Sequence, residues 1–236
     1  MQNSPNRILA ALSDEPFAAL RPHLKMVEFE GGAVLAKTGG PISNVYFPHT
    51  GIISLVVELR VGAIVETAMV GRDGAVNAVS ALDGKVSLNK AIVQMEGIGS
   101  VISADHLSKV ADDHRELRAL LIRHEQVLLA QAQQSAACNA SHLVEARMSR
   151  WLLRARDLAD SDDLKITQEF LAQMLGVRRT SLSAVANAMQ KAGHIRYKRG
   201  HVRIVDADGL KKAACECYQV VKGHYDRLLI TENIRK

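Results

Sequence analysis

The stretch from residue 166 to residue 206 constrains the fold more than any other part of the chain. It contains two amphipathic segments separated by Gly176, followed by two short β-rich runs on either side of Arg199 and Gly200. The apolar residues of the second segment recur at the spacing of one helical face: Leu182, Val185, Ala186 and Met189. This order predicts a helix-turn-helix followed by a β-hairpin wing.

The polar face of this unit is predicted to bind DNA. In helix-turn-helix proteins the N-terminal part of the second helix enters the major groove. An arginine there can donate two hydrogen bonds to guanine, whereas threonine, serine and basic wing residues contact bases or phosphate. The predicted DNA-binding residues are Thr167, Gln168, Arg178, Arg179, Thr180, Ser181, Ser183, Asn187, Lys198, Arg199 and His201.

The charge of the 236-residue chain is unevenly distributed and supports this prediction. The net charge is +5, but residues 1–145 carry 12 Lys and Arg against 15 Asp and Glu, whereas residues 146–236 carry 18 against 10. Polyphosphate attracts such a basic module through counterion release. This positive charge supports DNA binding because the helix-turn-helix pattern lies within residues 146–236.

The residues before this unit show two further sequence patterns. Residues 26–104 contain short β-rich runs, including VYF, IISLVVEL, AIVETAMV and KAIVQM, separated by glycines, which suggests a sandwich or barrel. Residues 112–146 lack Gly and Pro and are predicted to form one long helix. Both a core-packed helix and a dimer helix fit this segment, and its candidate stripe is Leu117, Leu121, His124, Leu128, Gln131 and Ser135.

Membrane, metal and catalytic functions are not predicted. No apolar run reaches the roughly 20 residues that span a bilayer, so an intracellular protein is expected. The cysteines, Cys138, Cys215 and Cys217, are too few for a disulfide framework and are interpreted as reduced thiols without a metal site. A redox role for Cys215 and Cys217 is the alternative. Asp105, His106 and residues 112–114 could suggest an enzyme, but helix capping explains them, and catalytic motifs are absent.

The chain resembles the cyclic-AMP receptor protein/FNR (Crp/Fnr) family of regulators. ITQEFLAQMLGVRRTSL follows the family's helix-turn-helix pattern, and FEGGAVLAKTGG, NVYFPHTGIISL and the Gly71 and Gly74 pair resemble its glycine-punctuated strands. The resemblance implies an α+β fold: a jelly-roll-like, cyclic-nucleotide-binding-like β-roll over residues 1–111, a long dimerisation helix over 112–146, and a winged helix-turn-helix with a C-terminal helical tail over 147–236.

The resemblance also implies a function. The chain is expected to be a cytoplasmic, homodimeric transcription regulator that binds a palindromic operator in double-stranded DNA, contacts RNA polymerase and is controlled allosterically by its N-terminal sensor domain. The alternative is a cyclic-nucleotide-binding signalling module whose output does not involve DNA.

Departures from the family pattern bear on the effector. Cyclic-nucleotide binders of the family place Gly-Glu on the ribose and Arg-Ser or Arg-Thr on the cyclic phosphate, where this chain has Gly74-Ala75 and Asn89-Lys90. Tight cyclic AMP binding is therefore not expected, no cofactor is predicted, and the effector stays unnamed. An FNR-type iron–sulfur sensor is also not expected, because residues 1–137 contain no cysteine. The resemblance places the effector pocket at Gly71, Arg72, Asp73, Gly74, Ala75, Asn89 and Lys90.

Overall fold

The computed structural model describes residues 4–198 and 200–229. The strands are β1 (Lys25–Phe29), β2 (Val34–Ala36), β3 (Asn44–Pro48), β4 (Ile52–Glu58), β5 (Ile64–Val70), β6 (Lys90–Met95), β7 (Gly97–Ser103), β8 (Asp163–Lys165), β9 (Ile195–Lys198) and β10 (His201–Ile204). The helices are α1 (Arg7–Ala10), α2 (Asp14–Leu20), α3 (Ala104–Asp113), α4 (Arg115–Ser141), α5 (Val144–Ala159), α6 (Gln168–Met174), α7 (Arg179–Lys191), α8 (Ala207–Ala213) and α9 (Cys217–Leu229), with a 3₁₀ turn at Arg21–His23.

The N-terminal region is a β-roll built from two antiparallel sheets. Their strand orders are β1-β7-β3 and β2-β6-β4-β5, and side chains such as Phe29, Ile53 and Val93 fill the space between them. The sequence runs VYF, IISLVVEL, AIVETAMV and KAIVQM become β3 to β6, as expected. The expected β-roll is therefore confirmed.

The segment 112–146 is not one uninterrupted helix, as the sequence suggested. His114 is extended, with φ −123° and ψ 93°, and separates α3 from α4. His142 and Leu143 are also extended and separate α4 from α5. No helix-breaking residue stands at either site, so the breaks reflect tertiary packing that overrides helix propensity. The continuous long helix is therefore α4, and α5 is a separate helix.

The candidate stripe on the long helix faces the chain's own core. Leu117, Leu121 and His124 are fully buried, and Leu128, Gln131 and Ser135 retain at most 7% exposure. They contact the β-roll, and Tyr225 of α9 donates a 2.8 Å hydrogen bond to Gln131 Oε1. The core-packed alternative is therefore correct for this face.

Helix α5 joins the β-roll to the C-terminal domain in one shared hydrophobic core. Its Trp151 packs with Ile52 and Met69 of the roll and with Leu171 of α6. The Trp151 indole also donates a 2.9 Å hydrogen bond to the Glu66 carboxylate. One hydrophobic core therefore contains residues of both the roll and the helix-turn-helix.

The C-terminal region is a winged helix-turn-helix with a helical tail. Strands β8, β10 and β9 form an antiparallel sheet beside α6 and α7. Strand β8 was not foreseen from sequence, because three residues are too short for a recognisable alternation. The C-terminal helical tail consists of α8 and α9, which are separated at residues 214–216. No helix in the described ranges is long and apolar enough to cross a membrane.

The buried Glu66 carboxyl predicts an unusual pH dependence of stability. Burial raises the pKa of Glu66 to about 7 from 4.5, although Ser54 and Trp151 hydrogen-bond the carboxylate. A raised pKa in the folded state means that stability is lost as pH rises from 4.5 to 7, by about 3 kcal/mol. The amide of Glu66→Gln can accept from the Trp151 indole through its oxygen and donate to the Ser54 hydroxyl through its nitrogen. We expect this variant to gain that amount over the wild type across this interval in urea unfolding.

The comparison with Glu66→Gln isolates this carboxyl from His124. Burial lowers the pKa of His124 to about 4 from 6.5, so His124 adds stability as pH rises across an overlapping interval. The wild-type profile alone would hide both contributions. A free-energy difference between Glu66→Gln and wild type that stays flat from pH 4.5 to 7 would show that Glu66 titrates normally.

Candidate nucleic-acid interface

Helix α6 begins and ends with well-defined caps. The Thr167 hydroxyl accepts a 3.1 Å hydrogen bond from the Phe170 amide, as expected of an N-cap. Gly176 has φ +62°, a left-handed conformation that glycine adopts without strain, and it redirects the chain after α6. The cap and the glycine set the short spacing between α6 and α7.

Helix α7 buries the apolar face that the sequence indicated. Leu182, Ala186 and Met189 are fully buried, and Val185 is half-buried. The residues that remain exposed on the opposite side are Arg178, Arg179, Thr180, Ser181 and Asn187. This face of α7 is available for contact with a large partner.

The N-terminus of α7 carries cations where a stable helix prefers anions. Arg178 occupies the N-cap without a side-chain capping bond, Arg179 follows, and the first turn has no acidic residue. Within the described part of the chain neither arginine forms a salt bridge. Both oppose the positive end of the helix dipole, which costs local stability. An anion such as DNA phosphate would relieve this repulsion.

Hydrogen bonds brace the helices and the wing against one another. The Ser183 hydroxyl donates a 2.8 Å bond to Gln168 Oε1 and so joins α7 to the start of α6. Tyr197 in β9 donates its hydroxyl to the Ile166 carbonyl at 2.8 Å and its amide to Gln190 Oε1 at 2.9 Å. Sequence reasoning missed Tyr197 and Gln190, since their contacts join separate elements.

The wing residues have different environments. Lys198 is exposed at the end of β9, whereas Arg199 lies outside the described residues. His201 Nδ1 lies 3.3 Å from Asp163 Oδ1. Both His201 and Thr167 border a cavity of about 410 Å³ whose opposite wall is Gly31, Gly32 and residues 93–96 of the roll. Part of the predicted DNA-binding set therefore faces the sensor region, while Arg178 to Ser181 face outward.

The predicted effector residues fall into two separate groups. Val70 pairs with Ile53 on one side of β4, and Lys90 pairs with Val56 on its other side. Ile53 and Val56 are three residues apart, which is about 10 Å along β4. The structure therefore does not bring residues 71–75 together with residues 89–90.

The first of these groups packs against the helices. Asp73 forms a buried salt bridge with Arg154 of α5, and the Ala75 amide donates a 3.3 Å hydrogen bond to His124 Nε2 of α4. A Cβ on Gly74 would lie 2.8 Å from the same His124 atom, which explains the glycine. In the second group Lys90 pairs with Glu58 at 2.9 Å and Asn89 is exposed.

Sequence reasoning did not foresee that the three cysteines lie together with a histidine. The ligating atoms of Cys138, His142, Cys215 and Cys217 all lie within 4.8 Å of one another. Cys138 and His142 are four residues apart at the end of a helix, a spacing that puts them on one face. That spacing was the available signal, but the sequence does not show that residues 215–217 return to it.

The comparisons with known proteins agree with this geometry. Residues 146–213 match the Crp-like helix-turn-helix domain. No curated protein sequence matches the chain.

Solved structures resemble it along most of its length. A Crp/Fnr-family regulator from Eubacterium rectale has a TM-score of 0.66 at 14% identity, covering 87% of this chain and 96% of its own. A CRP-family regulator from Thermus thermophilus has 0.66 at 18% identity, covering 80% and 96%. The c-di-GMP responsive global regulator of Xanthomonas campestris has 0.67 at 14% identity, covering 82% and 100%. Identities this low establish the fold, and the helix-turn-helix match establishes the type of domain. The chain therefore contains a Crp-like helix-turn-helix domain, and it has the fold of the Crp/Fnr-family regulators that it resembles.

Proposed function

We propose that the chain acts as a cytoplasmic homodimer that binds a two-fold symmetric operator under the control of its β-roll, without catalysing a reaction. The observation that carries the proposal is the exposed N-terminal face of α7. There Arg178 and Arg179 stand at the positive end of the helix, and no described residue pairs with either. Two such helices, about one turn of DNA apart, would enter successive major grooves.

The bracing contacts refine the expected role of each residue. Arg179 is exposed at the first position of α7 and is assigned to a guanine edge. The Gln168 oxygen is occupied by Ser183, which leaves the Gln168 amide group to donate to phosphate. Lys198 on the wing is assigned to phosphate, where it contributes charge and no sequence information.

Arg179→Ala should weaken specific binding and relax base preference at one position of each half-site. The expected loss is about 1–3 kcal/mol for one bidentate contact to guanine. Fluorescence anisotropy against an operator and its single-base variants measures both effects. Lys198→Ala is the matched control because it removes the same charge.

The control should behave differently from the test variant. Lys198→Ala should weaken binding to all sequences alike and reduce the slope of log K against log salt by about 0.9 for each phosphate that Lys198 neutralises in the wild type. If Arg179→Ala lowered affinity for every operator variant equally, Arg179 would be a phosphate ligand and the assignment would fail.

The dimer is proposed to form through a second face of α4, here named the α4 stripe: Ile122, Leu129, Ala136 and Ala140. Ile122 and Leu129 are 44% and 58% exposed, unusual for large apolar side chains. Ile122, Leu129 and Ala136 recur every seven residues, the repeat of a coiled-coil seam. The alanines allow two copies of α4 to approach closely near their C-terminal ends.

Control by the β-roll is proposed to pass through α5. This helix is tied to the roll by the Trp151 to Glu66 and Arg154 to Asp73 contacts, and it shares a core with α6 and α7. An effector, or a protein partner such as RNA polymerase, that shifts the roll would reorient the recognition helices. The packing of residues 71–75 against α4 and α5 supports this route and favours it over a signalling module without a DNA output.

The route through α5 is testable with the full-length dimer. Trp151→Phe removes the hydrogen bond to Glu66 and part of the ring that fills the shared core, and it should change operator affinity without changing the dimer. Unchanged affinity in Trp151→Phe, both with and without cell-extract small molecules, would argue against control through this contact.

A further inference from the structure

The chain's three cysteines converge with one histidine at the junction of α4 and α5. Cys138 lies in the last turn of α4, and His142 is the residue that ends that helix. Cys215 precedes α9 and Cys217 begins it. The three sulfur atoms belong to buried residues and His142 is half-buried, so the cluster is enclosed by the protein.

The spacing of the four side chains fits tetrahedral coordination of a single ion. For zinc bonds of about 2.3 Å to sulfur and 2.0–2.1 Å to nitrogen, tetrahedral angles give edges of about 3.8 Å between two sulfurs and about 3.6 Å between sulfur and nitrogen. The Cys138 and Cys215 sulfurs are 3.5 Å apart, and Cys217 Sγ is 3.6 Å from His142 Nδ1.

The groups around the cluster match those that support metal ligands. His142 turns Nδ1 toward Cys217 and Nε2 toward the Glu216 carboxylate, 3.3 Å away. A metal-bound histidine usually donates its other ring N–H to a carboxylate in this way. Gln134 Nε2 donates to Cys217 Sγ at 3.0 Å, as an amide does to a metal-bound thiolate.

Two buried arginines near the cluster favour a negative net charge on the cluster. The Nε atoms of Arg147 and Arg150 are buried and have no hydrogen-bond partner among the described residues. The charge of Arg150 acts on Cys138, and that of Arg147 on Cys138 and Cys215. Three thiolates around a divalent cation have a net charge of −1, which would compensate this buried positive charge.

We propose that Cys138, Cys215, Cys217 and His142 bind one Zn²⁺ through three sulfurs and Nδ1. Binding transfers the three thiol protons to solvent and leaves a neutral histidine whose Nε2–H faces Glu216. The Cys₃His composition and the enclosed, four-coordinate arrangement are those of a structural zinc site. The ion would fasten α9 to α4 where α5 begins, and so hold the junction between the long helix and the DNA-binding domain.

The test uses the reduced full-length protein, stripped with a chelator and then titrated with Zn²⁺ or Co²⁺ alone. We expect about one Zn²⁺ per chain by elemental analysis, loss of thiol reactivity at all three cysteines, and Co²⁺ absorption bands of tetrahedral thiolate ligation. Zn²⁺ should also raise the melting temperature of the stripped protein.

Variants separate ligation from folding. Cys217→Ala and His142→Ala should lose the stoichiometric ion and the Zn²⁺-dependent rise in melting temperature, whereas His224→Ala, on the same helix α9, should keep both. Failure of the reduced wild type to bind Zn²⁺ would overturn the proposal without touching the DNA-binding function, which is measured separately. Two other results would also overturn it. One is a protein that is isolated with a Cys138–Cys215 disulfide and binds no ion after reduction. The other is a protein that shows the absorption of an iron–sulfur cluster.

Discussion

Leu129→Glu should convert the protein to a monomer and lower its operator affinity by about 10²–10⁴-fold, the gain that joining two binding modules provides. Leu129 is 58% exposed at the centre of the α4 stripe, where its copy in a second chain would meet it across a two-fold axis. Two carboxylates placed there would repel one another and remove the apolar contact. Light scattering after size exclusion measures the mass, and anisotropy measures the affinity.

Leu88→Glu is the control for this variant. Leu88 is 80% exposed, and it lies in the loop before β6, outside the α4 stripe. The same charge change there should leave the dimer and the operator affinity intact. A Leu129→Glu protein that remained dimeric would show that the α4 stripe is not the interface.

Asp73→Ala should destabilise the protein by about 3–5 kcal/mol, because it leaves the Arg154 guanidinium buried without its partner. The side chains of Asp73 and Arg154 are only 4% and 8% exposed, and two hydrogen bonds of 2.7 and 3.2 Å join them. Burial alone would lower the pKa of Arg154, but Asp73, Tyr225 and Asp157 together outweigh burial and raise that pKa, so the arginine stays charged. Urea unfolding measures the loss.

Asp112→Ala provides the comparison for the buried pair. Asp112 forms a 2.7 Å salt bridge with Arg118, but their side chains are 63% and 43% exposed. Solvent screens such a pair, and its removal should cost about 0–1 kcal/mol. Equal effects of the two substitutions would mean that solvent reaches the Asp73 pair.

The helix-turn-helix could be predicted from sequence because its determinants are local. Thr167 as the cap, Gly176 at the turn and the apolar spacing from Leu182 to Met189 lie within one short stretch. The long helix was predicted less well, because a periodic apolar stripe does not say what covers it. The stripe beginning at Leu117 faces the chain's own roll and α9, while the α4 stripe remains exposed.

The features that sequence reasoning missed depend on contacts between distant residues. Cys138 and Cys215 are 77 residues apart, and no local pattern joins them. Strand β7 (Gly97–Ser103) contains two glycines and was not recognised, although it lies at the centre of its sheet. Whether residues 71–75 lie near residues 89–90 depends on the register of β4 with its neighbouring strands, which a single sequence does not specify.

The central claim is that two copies of α7 recognise a symmetric DNA sequence. The most direct measurement is selection of bound duplexes from a random pool by the purified protein, without added ligand and again with cell-extract small molecules. We predict enrichment of a palindrome whose half-sites lie about one helical turn apart, and loss of that enrichment with Arg179→Ala. The contradicting result is a pool that stays random under both conditions, with all duplexes bound at equal and strongly salt-dependent affinity. The C-terminal domain would then be a basic domain that binds DNA through charge alone.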